Sequence, residues 1–184
     1  VALQLGCATV MDAFNTPEVE KFINKMVNEE TLPVIDEDPV ELKKFAGKIL
    51  ERFYNPYLKH YLKDISLNSL SKWETRNFPT VKDNFTKLNK NARLNTFSFA
   101  ALLVLYSGKS AVEFTPNDTP EFVEFIQSTF DNNHIQDWVE GIVNNKKIWK
   151  EDFAVSPYFI DEVAASASAI LKHGMKAALT DLLN

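Results

Sequence analysis

Five times in this chain a proline directly follows a residue that caps helices: Thr16-Pro17, Asp38-Pro39, Asn55-Pro56, Thr119-Pro120 and Ser156-Pro157. An oxygen on the N-cap side chain accepts from a free backbone N–H, and proline at the first helical position forfeits no hydrogen bond. Apolar residues then recur at helical spacing. Val19, Phe22, Ile23, Met26 and Val27 follow the first pair, and Leu42, Phe45, Ile49, Leu50 and Phe53 the second. Phe122, Val123, Ile126 and Phe130 follow Thr119, and Phe159, Ile160, Val163, Ala167, Ile170 and Leu171 follow Ser156. A period of 3.6 accounts for all four runs. Punctuation of this kind commits the chain to helices and leaves little room for a sheet.

The intervening segments fit the same class. Pro79 is expected to end the helix that Asn55-Pro56 begins, since the residue before a proline disfavours the α region, and Thr80 to cap a short helix through Leu88. Ala92 to Tyr106 reads as a buried helix closed by Ser107-Gly108, with Lys109 to Asn117 as a loop in which Val112–Phe114 is the only strand candidate. Ile135 to Val143 is helical with Trp138 and Val139 inward, and His173-Gly174 is a stop before a last helical segment, Met175 to Leu183. With 184 residues, the expectation is one all-α, multi-helical domain over 1–184, of seven to nine helices.

Composition removes several function classes. Five glycines, none in a GxGxxG, leave no dinucleotide fingerprint in the chain itself. A net charge of −5 argues against a general nucleic-acid binder. The richest apolar run, Phe97 to Tyr106, is half a membrane span. The single cysteine, Cys7, forms no internal disulfide, reads as a buried thiol and fits a reducing, cytoplasmic compartment. His60, His134 and His173 lie far apart, so no metal set is expected. The opening VALQLGCATV has no basic flank and no Met, which is expected of a piece of a longer chain rather than of a signal peptide.

Functional interest concentrates in Glu51 to Pro79, ERFYNPYLKHYLKDISLNSLSKWETRNFP. If one helix of about five turns runs from Pro56, then His60, Asp64, Asn68 and Lys72, spaced by four, share a face. Spacing alone favours a solvated face with weak i,i+4 pairs. Two details favour a site: Ser69, Ser71 and Arg76 suit a polyhydroxylated or anionic ligand, and Tyr57, Tyr61 and Trp73 flank them as walls. A surface for a protein partner on a free-standing helical module fits the same residues.

The motif ERFYNP at 51–56, followed by a helix and Lys72, resembles the C-terminal domain of the mannitol dehydrogenase family, the polyol-specific long-chain dehydrogenases. Glu29 to Asp36 (EETLPVID) and Ile170 to Leu179 (ILKHGMKAAL) are similar to it as well, and within the family the likeness is greatest to the branch that reduces tagaturonate to altronate. The resemblance implies an all-α domain like that of 6-phosphogluconate dehydrogenase, covering a sugar-acid substrate. It also implies an N-terminal Rossmann domain of the same enzyme, absent from this chain, that binds NAD. Fructuronate or mannitol dehydrogenases of the same family are the near alternatives. The family's catalytic KxxxxNxxH does not occur here, so no catalytic residue carries over and the isolated chain is expected to be inactive. The mannitol branch places Asp, Arg, Asp and Lys four residues apart on its substrate helix. His60, Asp64, Asn68 and Lys72 hold those places here, and only Lys72 keeps its type. The resemblance therefore implies Lys72 and Asn68, then His60 and Arg76, as substrate-binding residues, with Lys72 or Arg76 facing a uronate carboxylate.

Overall fold

The structure, a computed structural model, describes residues 1–54, 59–153 and 156–184. Ten α-helices lie among the described residues: α1 (Val10–Phe14), α2 (Pro17–Lys25), α3 (Pro39–Phe53), α4 (Leu62–Ile65), α5 (Ser69–Arg76), α6 (Phe78–Leu88), α7 (Arg93–Tyr106), α8 (Pro120–Ser128), α9 (Ile135–Val143) and α10 (Phe159–Leu183). No strand occurs among those residues. The nearest thing to one is an isolated antiparallel bridge from Thr9 to Tyr61, and Val112–Phe114 is loop. The all-α expectation holds.

Helix α7 is the hub. Its sequence is apolar on every side, so it has no solvent face to spare, and Phe97, Phe99, Ala100, Leu103, Val104 and Tyr106 are all buried. Helix α10 packs along it and α9 along α10. Trp73, Phe78, Phe99, Phe153 and Phe159 make an aromatic cluster across one side, with Trp73 4.3 Å from Phe99 and Phe78 4.2 Å from Phe153 between ring centres. The expected stop at His173-Gly174 is a kink. Gly174 has φ 82° and ψ 159°, a conformation essentially reserved for glycine, and helix resumes at once so that Met175 and Leu179 are buried with Ile170. Trp138 and Val139 point inward as expected, and Cys7 is buried.

The proline starts hold at Pro17, Pro39 and Pro120, while the capping chemistry differs from expectation. Among the described residues, Asp38 caps as its position suggests, accepting from Val40 and Glu41 N–H at 3.0 Å, while Ser156 Oγ accepts only Tyr158 N–H at 3.3 Å and its helix starts at Phe159, not at Pro157. Thr16 instead donates to the Asp12 carbonyl, and Thr119 has no side-chain cap bond. The reciprocal capping box is at Thr9 and Asp12. Helix α3 forms, yet none of its residues is buried. Leu42, Ile49 and Leu50 are half-buried, and Phe53 stacks on Phe14 at 5.4 Å.

The single helix expected from Pro56 to Pro79 is not formed. Asn55-Pro56, with Tyr57 and Leu58, lies outside the described residues. Beyond it the chain is extended at Tyr61, because Val10 N–H donates to His60 C=O and Leu62 N–H to Ala8 C=O, both at 2.9 Å. One turn of helix, α4, is followed by a break. Ser66 and Ser69 turn their hydroxyls onto the carbonyls of Lys63 and Ser66, each at 2.6 Å, the local bonding by which serine competes with a helix. Asn68 then sits at φ 52°, a left-handed position that asparagine tolerates. Helix α5 ends at Arg76, and Pro79 opens α6 rather than following a gap. Thr80 lies inside α6 and is not its cap.

Candidate ligand-binding site

The break in the chain changes which groups meet. His60, Asp64, Asn68 and Lys72 do not share a face. His60 precedes α4 and is exposed, and Asn68 is the exposed left-handed residue ahead of α5. Asp64 and Tyr61 border a cavity of about 370 Å³ beside Cys7 and Glu113. Lys72 and Arg76, one turn apart on α5, line a different cavity of about 370 Å³ between α4, α5 and α7. Leu3 and Phe114 border both cavities. Of the four residues expected to bind, the structure thus brings Lys72 and Arg76 together and leaves His60 and Asn68 off this cavity. Of the expected aromatic walls, Trp73 lines it, Tyr61 lines its neighbour, and Tyr57 is outside the described residues.

Each wall is fixed by local chemistry. Trp73 is buried in the aromatic cluster and donates its indole N–H to Ser98 Oγ at 2.9 Å. The Lys72 ammonium donates to Ile65 C=O at 3.0 Å, bridging the break between α4 and α5, and keeps two further N–H groups. Arg76 is exposed and has no ion pair among the described residues. On the opposite side of α5, buried Glu74 accepts the backbone N–H groups of Lys150 and Glu151, the latter at 2.9 Å. At its start, the carboxylate of Asp118 accepts Leu70 N–H at 3.0 Å, and Asn117 C=O accepts Asn68 N–H at 2.9 Å.

The cavity is polarised. No Asp or Glu lies among the described residues that line it, so both of its charges are positive. Its hydroxyls spend their hydrogens elsewhere: Ser66 on Lys63 C=O, Ser69 on Ser66 C=O, Ser98 on Asn95 C=O at 2.6 Å, and Tyr106 on Asp118 at 3.0 Å. Burial, and next the Asp118 charge, push the Tyr106 phenol well above the usual tyrosine range, so it stays protonated and keeps its hydrogen bond to Asp118. The cavity therefore combines two cations with hydroxyl oxygens whose lone pairs can accept. An anionic ligand carrying hydroxyls matches both kinds of group.

Sequence reasoning named Ser69, which lines the cavity, and Ser71, which does not, and it missed Asp118, Tyr106, Glu74, Ser66 and Ser98. Tyr106 reads as core, and Asp118 hides beside a cap pair. The one available signal is redundancy, since Asn117 and Asp118 are two capping residues more than the helix behind Thr119-Pro120 requires. Among the described residues no strand leads a glycine-rich turn into a helix, so they contain no Rossmann-type dinucleotide fingerprint.

Comparison with known proteins gives a consistent picture. The family model for the mannitol dehydrogenase C-terminal domain matches residues 1–171. Altronate oxidoreductase of Bacillus subtilis is 34% identical over 181 residues, which is 97% of this chain and 36% of that protein. Altronate oxidoreductase of Escherichia coli is 35% identical over 189 residues, 99% of this chain and 39% of that protein. Among solved structures, the Pseudomonas fluorescens mannitol 2-dehydrogenase ternary complex with NAD and D-mannitol superposes with a TM-score of 0.84 over 99% of this chain and 37% of that one. At 18% identity that likeness is one of fold. The chain spans between 36% and 39% of the length of these curated relatives.

Proposed function

The chain belongs to the mannitol dehydrogenase C-terminal domain family, and from that premise we propose that it is the substrate-holding part of a longer NAD-dependent oxidoreductase that reduces tagaturonate to altronate. An N-terminal Rossmann domain of the same enzyme would bind NAD(H) and, with the residues leading into this chain, carry out hydride and proton transfer. A cytoplasmic location goes with this reading. The relatives of similar sequence are altronate oxidoreductases, and this supports the uronate branch over the polyol branch.

The observation that carries the proposal is the pairing of Lys72 and Arg76 in a cavity that has no carboxylate among the described residues lining it. A neutral polyol has no need of two uncompensated cations, whereas a sugar acid does. The ligand's carboxylate meets Lys72 and Arg76, and the ligand's hydroxyls donate to Ser66, Ser69 and Ser98. Asn68, in this reading, starts α5 and does not touch the ligand, and His60 stands outside the cavity.

The test is Lys72→Ala and Arg76→Ala in the full-length enzyme, assayed with tagaturonate, fructuronate and fructose. Losing a charge-assisted hydrogen bond to the acid is expected to lower kcat/KM for the uronates by about 10- to 100-fold, and to leave any turnover of the neutral ketose nearly unchanged. Unaltered uronate kinetics in both variants would remove this cavity from substrate binding.

A further inference from the structure

We propose that Asp118 is a positioning residue for Lys72, setting the start of α5 and thereby the place where the ammonium meets the acid group of a ligand. This rests on the reading of the cavity as a sugar-acid site. It deepens that reading by assigning control of the site to a residue 46 positions away that does not line the cavity.

Helix α5 has only eight residues, and its own N-cap, Asn68, makes no side-chain cap bond. The loop ahead of α8 does that work instead. Asp118 Oδ2 accepts both Leu70 N–H and the Tyr106 hydroxyl at 3.0 Å, while its Oδ1 accepts Thr119 N–H at 2.9 Å. The carboxylate therefore ties three elements together: the first turn of α5, the last turn of α7 and the beginning of α8. Its negative charge at the start of α5 also suits the helix dipole. Asn117 C=O holds Asn68 N–H, and Asn68 C=O in turn accepts Lys72 N–H at 3.1 Å. Lys72 thus stands two residues beyond the Asp118 contact and one hydrogen bond beyond the Asn117 contact.

Tyr106 makes the coupling direct. Tyr106 lines the cavity, and the atom that accepts from its hydroxyl is the one that fixes Leu70. Removing the carboxylate releases the first turn of α5 and the Tyr106 hydroxyl together. The far end of α5 stays held by Trp73 and Glu74 in the core, so the helix remains folded while the segment carrying Lys72 shifts.

A double-mutant cycle in the full-length enzyme tests this. Asp118→Ala is expected to raise KM for the sugar acid about 10-fold with kcat changed by less than about 3-fold, because a misplaced binding group weakens capture of the acid. Asp118→Asn keeps an amide oxygen for Leu70 but offers it fewer acceptor sites than the carboxylate, and is expected to limit the rise to about 3-fold. In a Lys72→Ala background the same substitutions are expected to change KM by less than about 1.5-fold, since the group they position is gone. A purely structural role for Asp118 raises KM equally in both backgrounds, and that result overturns the proposal. If Lys72→Ala and Arg76→Ala both leave KM unchanged, the sugar-acid reading fails and the positioning role fails with it; if only Lys72→Ala does, Arg76 holds the acid and the positioning role alone is lost. If Lys72→Ala raises KM and Asp118→Ala does not, the binding site stands and only the positioning role is lost. Should Asp118→Ala not fold, the Asp118→Asn cycle measures the same coupling at smaller amplitude.

Discussion

Helices α7 and α5 both begin without a capping side chain of their own, and a carboxylate from a distant part of the sequence serves each. At α7 the donor groups are Leu94 and Asn95 N–H, which meet the two oxygens of Glu30 at 2.7 and 2.9 Å, with Asn95 Nδ2 adding a third bond at 2.8 Å. At α5 the corresponding group is Asp118 on Leu70 N–H. The surroundings differ. Glu30 is 6% exposed and the helix it caps is buried almost along its whole length, so many packed side chains already determine where α7 lies. Asp118 is half-buried, and α5 has core on one side and a cavity on the other. A cap inside a closed core satisfies backbone groups. A cap beside a cavity determines where side chains stand. Loss of the first should therefore be read in stability, and loss of the second in ligand binding.

The largest expected effect is at α7. Glu30→Ala strips the acceptor from two buried N–H groups and from the Asn95 amide, and is expected to cost about 2–4 kcal/mol of stability. A lower urea midpoint with an unchanged denaturant slope is the corresponding observation. A loss below about 1 kcal/mol would mean that packing or water satisfies the α7 N-terminus without Glu30, and the contrast between the two caps would collapse. The effect on KM for the sugar acid should be small, since Glu30 lies at the other end of α7 from Tyr106.

Next in size is the left-handed start of α5. Asn68→Ala places a Cβ without a compensating amide at φ 52°, and is expected to cost about 1 kcal/mol. Asn68→Gly is expected to be neutral or to stabilise by up to about 1 kcal/mol, since glycine adopts this conformation freely. The matched change at α7 behaves differently. Ala92, its N-cap, has φ −81° and is buried in the core, so Ala92→Gly relieves no strain, frees the unfolded chain and removes a buried methyl. Thermal unfolding of the three variants compares the two helix starts directly, and equal responses at 68 and 92 would break the distinction.

How much of this was legible in the sequence follows from which interactions are local. Proline at a helix start, a 3.6-residue apolar period and a glycine beyond a helix are all decided within a few residues. That is why α2, α7, α8, α9 and the kink at Gly174 fall where the sequence places them. The carboxylate-to-backbone bonds at Glu30, Glu74 and Asp118 span 64, 76 and 48 residues, and no short-range pattern encodes them. The central stretch departs from its expected form for the same reason. Its apolar spacing allows a continuous helix, but pairing of residues 60–62 with 8–10 and of Asn68 with Asn117 outweighs that preference. Lys72 and Arg76 stay together because both lie within α5, where spacing of four still means one face. His60 and Asn68 share a face with them only if the helix is continuous, and the break removes both from it.

The smallest expected effect separates charge from hydrogen bonding at the α7 cap. Burial raises the Glu30 carboxyl above its ordinary value of 4.5, opposed by the Leu94 and Asn95 N–H bonds. A folded-state value above the unfolded one means that the protonated form is the better accommodated of the two. The group's linked contribution to stability is then fully present below pH 4.5 and declines as pH rises through the folded value. Glu30→Gln carries an amide oxygen for a backbone N–H and does not titrate in this range. Wild type should therefore be most favoured over Glu30→Gln near pH 4 and lose part of that advantage by pH 7, by less than the whole cost of Glu30→Ala. Urea midpoints of the pair at the two pH values give the sign. If the advantage of wild type grows towards pH 7, the N–H bonds outweigh burial and the cap acts as an ion-binding cradle for a charged Glu30. In that case Glu30 works at α7 as a fixed charge, as Asp118 does at α5, and the two caps differ in what surrounds them and not in how they hold a helix.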